Sequence, residues 1–116
     1  MTYKDLKVWQ KADALALAVY EVSKTFPKDE LYGLTSQLRR AALSVPTNIV
    51  EGYARKGDKE LARFINFSIG SLAETEYLLR FACKLGYISD GDFQKVESIR
   101  AEVGKLLWSF YKKLES

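Results

Sequence analysis

The chain has 116 residues, of which 47% are hydrophobic and 28% are charged, a composition usual for one globular domain. It has no histidine and a single cysteine, Cys83, so the commonest general base is absent and neither an intramolecular disulfide nor a cysteine-based zinc site can form. Its net charge of +3 is too small to indicate a partner by itself.

The first two predicted helices are separated at Pro27. Apolar residues three and four apart predict a first helix that ends before Pro27, because the residue ahead of a proline leaves helical geometry. Its inward face is Val8, Ala12, Leu15, Val19, Val22 and Phe26. A second helix is predicted from about Leu31 to Arg55, with Gly57 as its stop and Asp58 as the N-cap of the next helix. Its inward face is Leu34, Leu38, Ala41, Val45, Ile49 and Tyr53.

Two further helices are predicted in the second half of the chain. The third runs from about Lys59 to Leu85 and ends at Gly86. Its inward face is Leu61, Ile65, Leu72, Leu79 and Ala82, flanked by Phe64, Phe67, Leu78 and Phe81. Ser89 and Asp92 resemble a capping box at the start of the fourth helix. The inward face of this helix is Phe93, Val96, Val103, Leu107, Phe110 and Leu114.

Four long helices with short connections predict an all-α, up-down-up-down antiparallel four-helix bundle that forms a single domain over residues 1–116. Pro46 lies inside the second helix, where a proline removes one hydrogen bond and costs about 3 kcal/mol. Because the apolar spacing continues in phase across Pro46, we expect a kink there. A break into two short helices is the alternative.

A stripe of polar residues runs beside the apolar face of the second helix. Its members, spaced three or four apart, are Gln37, Arg40, Ser44, Asn48 and Glu51. They form either a solvated face or a hydrogen-bonding network that joins helices within or between subunits. Ser71 and Glu74 of the third helix are expected at a similar height, where Glu74 would meet Arg40 and the small Gly70 and Ser71 would allow close helix approach. Ser44 and Asn48 would also satisfy carbonyls left free by Pro46.

The spacing of Ser44, Pro46, Asn48, Glu51 and Gly52 resembles the signature of a bacterial family of four-helix bundles. The family is named after proteins encoded in intervening sequences of 23S ribosomal RNA genes. The resemblance extends over most of the chain, in the segments Tyr3–Ala12, Phe26–Pro27, Glu30–Thr35, Gln37–Gly52 and Gly70–Glu74.

This resemblance implies a ring-like homopentamer without established catalysis. The accessory protein of diversity-generating retroelements is similar, and it binds nucleic acid and a reverse transcriptase through a basic surface. The resemblance therefore favours a structural role for the polar stripe, and it adds RNA or DNA and a reverse transcriptase to the expected partners.

The charge pattern supports a nucleic-acid partner independently. In the expected bundle, residues 1–15, 43–71 and 103–116 share one end, which holds ten basic and six acidic side chains, a net charge of +4. The other end has a net charge of −1, from eight basic and nine acidic side chains. We take the cations of this basic end as candidate contacts to phosphate: Lys4, Lys7, Lys11, Arg55, Lys56, Lys59, Arg63, Lys112 and Lys113.

Aromatic residues exceed what one core can hold, which predicts self-assembly. They are Trp9, Tyr20, Tyr32, Tyr53, Tyr77 and Trp108. The leading hypothesis is a cytoplasmic, non-enzymatic ring that binds RNA or DNA with weak sequence specificity. The alternative is a self-assembling scaffold or protein-interaction module without nucleic acid. We expect no cofactor, metal, membrane or small-molecule partner, no catalytic role for Glu51 or Glu74, and an inert, buried Cys83.

Overall fold

The computed structural model describes all residues from Met1 to Ser116 and contains four α-helices and no strand. The helices are α1 (Lys7–Val22), α2 (Leu34–Ala54), α3 (Asp58–Lys84) and α4 (Asp90–Glu115). Short 3-10 turns lie at Tyr3–Asp5, Ser23–Thr25 and Lys28–Glu30. The predicted all-α fold of four helices packed against one another is therefore confirmed.

Each helix packs against two others, so α1 and α3 both contact α2 and α4. The helices α2 and α3 run in opposite directions, since Ser68 contacts Val45 while Gly52 lies against Leu61. The helices α3 and α4 also run in opposite directions, since Glu76 pairs with Arg100 and Leu72 approaches Gly104. The complete up-down-up-down order stays a prediction.

The core consists of the apolar faces that the spacing predicts. One cluster of 21 buried residues includes Leu15, Leu38, Ile65, Leu79 and Val103, which contribute from all four helices. Residues predicted inward near helix ends are only half-buried, because fewer neighbours surround them: Val22, Tyr53, Leu61, Phe110 and Leu114. Of the residues flanking the α3 stripe, Phe64 and Leu78 are buried, whereas Phe67 and Phe81 are exposed.

The helix α2 is continuous through Pro46, so the alternative of two short helices is wrong. A kink at Pro46 stays a prediction. The fully buried Ser68 of α3 donates its hydroxyl hydrogen to the carbonyl oxygen of Val45 at 2.8 Å, which joins the two helices next to the proline.

We expected Ser44 and Asn48 to satisfy a carbonyl freed by the proline, and this expectation is wrong because both side chains bind other carbonyls. Pro46 leaves the carbonyl of Ala42 without its helical donor. The Ser44 hydroxyl instead donates to the carbonyl of Arg40, and the Asn48 amide donates to the carbonyl of Ser44. Both bonds span one turn of the same helix.

The residues at the starts of α3 and α4 show that one capping prediction is wrong and that the other is right in part. Asp58 is the first residue of α3, not its cap; Gly57 takes the cap position with φ +89°, a left-handed conformation that glycine adopts without strain. At the start of α4, the backbone N–H of Asp92 donates to the Ser89 hydroxyl at 3.1 Å, which is one of the two bonds of the predicted capping box.

Of the two glycines in α2 and α3, Gly52 rather than Gly70 lies in close contact with the facing helix. A Cβ atom on Gly52 would lie 2.7 Å from Cβ of Phe64 and 3.1 Å from Cδ1 of Leu61. A Cβ on Gly70 would meet no atom within 4 Å. Gly52 is therefore required for the packing that positions the connection between α2 and α3.

We predict that Gly52→Ala destabilises the protein by about 1–3 kcal/mol, because the added methyl group forces the two helices apart. Gly70→Ala is the matched control and should stabilise by up to about 1 kcal/mol, since alanine is the better helix former in open space. Urea unfolding of both variants measures the effect. Equal stability of the two variants would show that the close approach at Gly52 is not required.

Candidate nucleic-acid interface

The nine predicted phosphate-binding cations differ in how free their charges are. All are exposed except Lys11, which is half-buried. Lys11 pairs with Glu102 of α4 at 3.5 Å, and Arg55 pairs with Glu51 at 3.1 Å. Arg63 pairs with Glu60 at 3.0 Å. These three charges are partly compensated within the subunit.

The other six predicted cations form no ion pair, namely Lys4, Lys7, Lys56, Lys59, Lys112 and Lys113. Lys105 of α4, which the sequence reasoning did not select, is also exposed and unpaired. Unpaired, exposed ammonium groups are the groups that phosphate attracts most readily, because no carboxylate has to be displaced.

The connection between α2 and α3 brings together four of the nine predicted cations, namely Arg55, Lys56, Lys59 and Arg63. The guanidinium groups of Arg55 and Arg63 lie 5.1 Å and 4.9 Å from the centre of the Phe64 ring. Phe64 is buried. Lys56 and Lys59 are exposed within and just after this connection. The buried ring therefore holds two arginines beside two free lysines.

A cavity of about 490 Å³ lies between the start of α3 and the end of α4. Its lining includes Lys59, Arg63 and Asn66 from α3, and Tyr111 and Glu115 from α4. Glu60 also lines the cavity, and the hydrogen bond from Arg63 lowers the pKa of its carboxyl group. Glu60 therefore stays negatively charged. The Tyr111 hydroxyl donates to Glu115 at 3.1 Å, which raises the pKa of Tyr111.

Lys4 and Lys7 belong to a separate N-terminal segment. Its Tyr3–Asp5 turn is closed by Thr2 and packs against α1 and α2. The Gln10 amide donates to the carbonyl of Lys4 at 2.8 Å, and the Tyr3 ring lies edge-on to Trp9.

The polar stripe does not form a network within one subunit. Besides the bonds of Ser44 and Asn48, Glu51 pairs with Arg55 on its own helix. No side chain of the stripe bonds to Ser71 or Glu74, and the expected ion pair between Arg40 and Glu74 does not form within the subunit. A solvated face and a network between subunits are the two alternatives that remain, and Gln37, Arg40 and Glu51 are exposed.

Arg40 and Glu74 nevertheless face one surface groove, which we call the α2–α3 groove. Its volume is about 340 Å³, and its lining is Tyr32, Gly33, Ser36, Gln37, Arg40, Ala41, Ser44 and Glu74. Next to it, α3 exposes Phe67, Tyr77 and Phe81. Of the six aromatics that predict assembly, Tyr20, Tyr32, Tyr77 and Trp108 are exposed, while Trp9 and Tyr53 are half-buried.

In contrast to the free lysines, the charges between α3 and α4 are paired. Glu97 accepts two hydrogen bonds from the Arg100 guanidinium, at 2.8 Å and 2.7 Å, and both side chains are more than four-fifths buried. Glu76 pairs with Arg80 at 3.0 Å and lies 3.6 Å from Arg100. The Arg100 hydrogen bonds lower the pKa of Glu97, and they raise the pKa of Arg100.

Cys83 is half-buried, and its thiol lies 3.4 Å from a carboxylate oxygen of Asp90. Burial and this neighbour raise the pKa of the thiol, which keeps it protonated at neutral pH. No three acidic or cysteine side chains gather in a way that could hold a metal ion. None of the four helices combines the length and apolarity needed to cross a bilayer.

Comparison with known proteins identifies similar chains. The sequence profile of the family described as 23S rRNA-intervening sequence protein matches residues 4–109. A search of curated proteins finds no match. Among solved structures, a protein of unknown function from the S23 ribosomal protein family of Bacteroides thetaiotaomicron VPI-5482 is similar, with a TM-score of 0.83 and 23% identity. The alignment covers 90% of this chain and 95% of that one, and it supports the fold.

We predict that Glu97→Gln destabilises the protein by about 1–3 kcal/mol at pH 7, because it removes a largely buried, charge-assisted pair. The folded-state pKa of Glu97 lies below its usual value of 4.5, so the stabilisation is complete above that pH and is lost as the pH falls below it. The difference between the wild type and the variant should therefore shrink below about pH 4.5.

Glu60→Gln is the matched control, since Glu60 and Arg63 have the same spacing and a similar two-bond geometry in an exposed position. It should lose less stability than Glu97→Gln, because water screens an exposed pair. Urea unfolding at several pH values gives both results. Equal losses in the two variants would contradict a special role for the Glu97–Arg100 pair.

Proposed function

Because the chain belongs to the 23S rRNA-intervening sequence protein family, we propose that it is a non-enzymatic, ring-forming protein that binds RNA or DNA. We propose a homopentamer whose basic end contacts the phosphate backbone with weak sequence specificity. Self-assembly and nucleic-acid binding are argued separately below, since each depends on a different surface.

The observation that carries nucleic-acid binding is the set of six predicted cations without an acidic partner. Lys56, Lys59, Lys112 and Lys113 represent this set at the adjoining ends of α2, α3 and α4. In a ring of five copies, ends of net charge +4 would add to roughly +20 on one face, which would attract phosphate from a distance. Flexible lysines contact phosphate as point charges, which accounts for weak sequence specificity.

Self-assembly is supported by the α2–α3 groove. It holds one cation and one anion, Arg40 and Glu74, that have no partner in their own subunit, beside exposed Tyr77 and Phe81. We infer that assembly brings Arg40 of one subunit next to Glu74 of its neighbour, since neither charge is compensated within its own subunit. Aromatic residues surrounding such a pair would exclude water and strengthen it.

A non-enzymatic role is supported by the positions of the two candidate catalytic carboxylates. Glu51 pairs with Arg55 near the end of α2, while Glu74 lines the groove in the middle of α3. General acid–base catalysis by a carboxylate pair needs both groups within reach of one reacting centre.

A self-assembling scaffold without a nucleic-acid partner is the second candidate function. The exposed aromatic residues of α3 favour it, namely Phe67, Tyr77 and Phe81. They support assembly whether or not the basic end binds a ligand. Measurement of nucleic-acid binding distinguishes the two candidates.

We predict that labelled RNA and DNA bind at about 50 mM salt and are released as salt rises, because binding displaces counterions. The double change Lys56→Glu and Lys59→Glu should weaken binding at least tenfold and reduce the salt slope by about 2. The matched control is Lys84→Glu with Lys95→Glu, two exposed, unpaired lysines outside the basic end. Fluorescence anisotropy measures all three proteins. Absence of binding at low salt would leave the scaffold as the function.

We predict that Arg40→Glu and Glu74→Arg each dissociate the ring at low micromolar concentration, since each places like charges together across the interface. The double variant should restore assembly by exchanging the two charges. Light scattering gives the mass of each species, and Lys28→Glu is the control outside the groove. A monomeric wild type would contradict the ring, and intact rings in both single variants would place the interface elsewhere.

A further inference from the structure

Trp108 of α4 is the more exposed of the two tryptophans and is not part of the core. Its side chain is 55% exposed. The Trp108 and Tyr111 rings lie nearly parallel, with an interplanar angle of 21° and centres 5.9 Å apart. The Lys112 ammonium group lies 5.9 Å from the Trp108 ring centre. One turn of α4 thus presents a flat aromatic surface with a cation attached to it.

This aromatic surface adjoins the cavity between α3 and α4. Tyr111 belongs to both, since it stacks on Trp108 and lines the cavity with Lys59, Arg63 and Asn66. Lys112 and Lys113 are exposed and unpaired beside it. A ligand that crosses this region meets an aromatic face, an amide and the free cations Lys59, Lys112 and Lys113. The carboxylates that also line the cavity, Glu60 and Glu115, are already hydrogen-bonded to Arg63 and Tyr111.

We propose that Trp108 and Tyr111 form a stacking platform for bases of single-stranded RNA or DNA. This inference rests on the proposed function, because the surrounding lysines would hold the strand by its phosphates. Base stacking on an aromatic side chain does not depend on base identity, since every base has a π-face. A duplex conceals its base faces within the helical stack, so only unpaired nucleotides can use the platform.

The platform is compatible with the proposed ring. The helices α2 and α4 are not packed neighbours in the bundle. The proposed interface at the α2–α3 groove does not include Trp108, because no residue that lines the groove belongs to α4. The aromatic and cationic groups also match a single strand better than a second protein copy, because at least three neighbouring lysines, Lys59, Lys112 and Lys113, lack acidic partners.

The test compares a labelled 15-nucleotide oligo(dT), oligo(U) and a DNA duplex of the same length, bound to wild type, Trp108→Ala and Trp108→Phe. We expect Trp108→Ala to weaken single-strand binding by about 5- to 150-fold, the loss of one stacked base, and to leave duplex binding unchanged. Trp108→Phe should retain most of the affinity. In a Trp9→Phe background, oligo(dT) should quench the fluorescence of Trp108, which is then the only tryptophan.

Each other outcome has a distinct meaning. Unchanged single-strand affinity of Trp108→Ala overturns the platform, as does an equal loss for strand and duplex. A change of oligomeric mass in Trp108→Ala also overturns it, because Trp108 would then belong to the assembly interface. Failure of the proposed function is different: the wild type would bind neither strand nor duplex. Urea unfolding should show equal stability of the three proteins.

Discussion

The packing of α2 against α3 between Val45 and Gly52 is the constraint on which the other features depend. A buried hydrogen bond from Ser68 to the Val45 carbonyl and the contact of Gly52 with Phe64 hold the two helices at short range. Phe64 also carries Arg55 and Arg63 on its ring, so the same contact positions the basic connection between the helices. A shift of α3 along α2 would change the core and this charged surface together.

The distribution of ion pairs decides which parts of the surface carry uncompensated charge. Between α3 and α4, Glu76, Arg80, Glu97 and Arg100 satisfy one another and fix the register of the two helices. At the adjoining ends of the helices, most lysines have no such partner. A modest net charge of +3 therefore coexists with a cluster of uncompensated lysines at one end of the molecule.

The exposed aromatic residues divide into two surfaces with different electrostatic surroundings. Tyr77 and Phe81 lie near a groove that holds one unpaired charge of each sign, which suits a second copy of the chain. Trp108 lies among cations, which suits a polyanion with flat bases. If the proposed function holds, assembly and nucleic-acid binding would use different faces of one small bundle.

The sequence by itself determined the four helices and the faces that they bury, because spacing along one helix fixes which residues share a side. Leu15, Leu38 and Ile65 lie in the core for this reason, and the cap at Ser89 is equally local. Only the tertiary structure decided that Lys11 is paired, that Arg40 and Glu74 are not, and that Gly52 rather than Gly70 is the close contact. The same holds for Tyr111, which connects Trp108 with the α3–α4 cavity. These features depend on the register and separation of helices far apart in the chain, which local spacing does not encode.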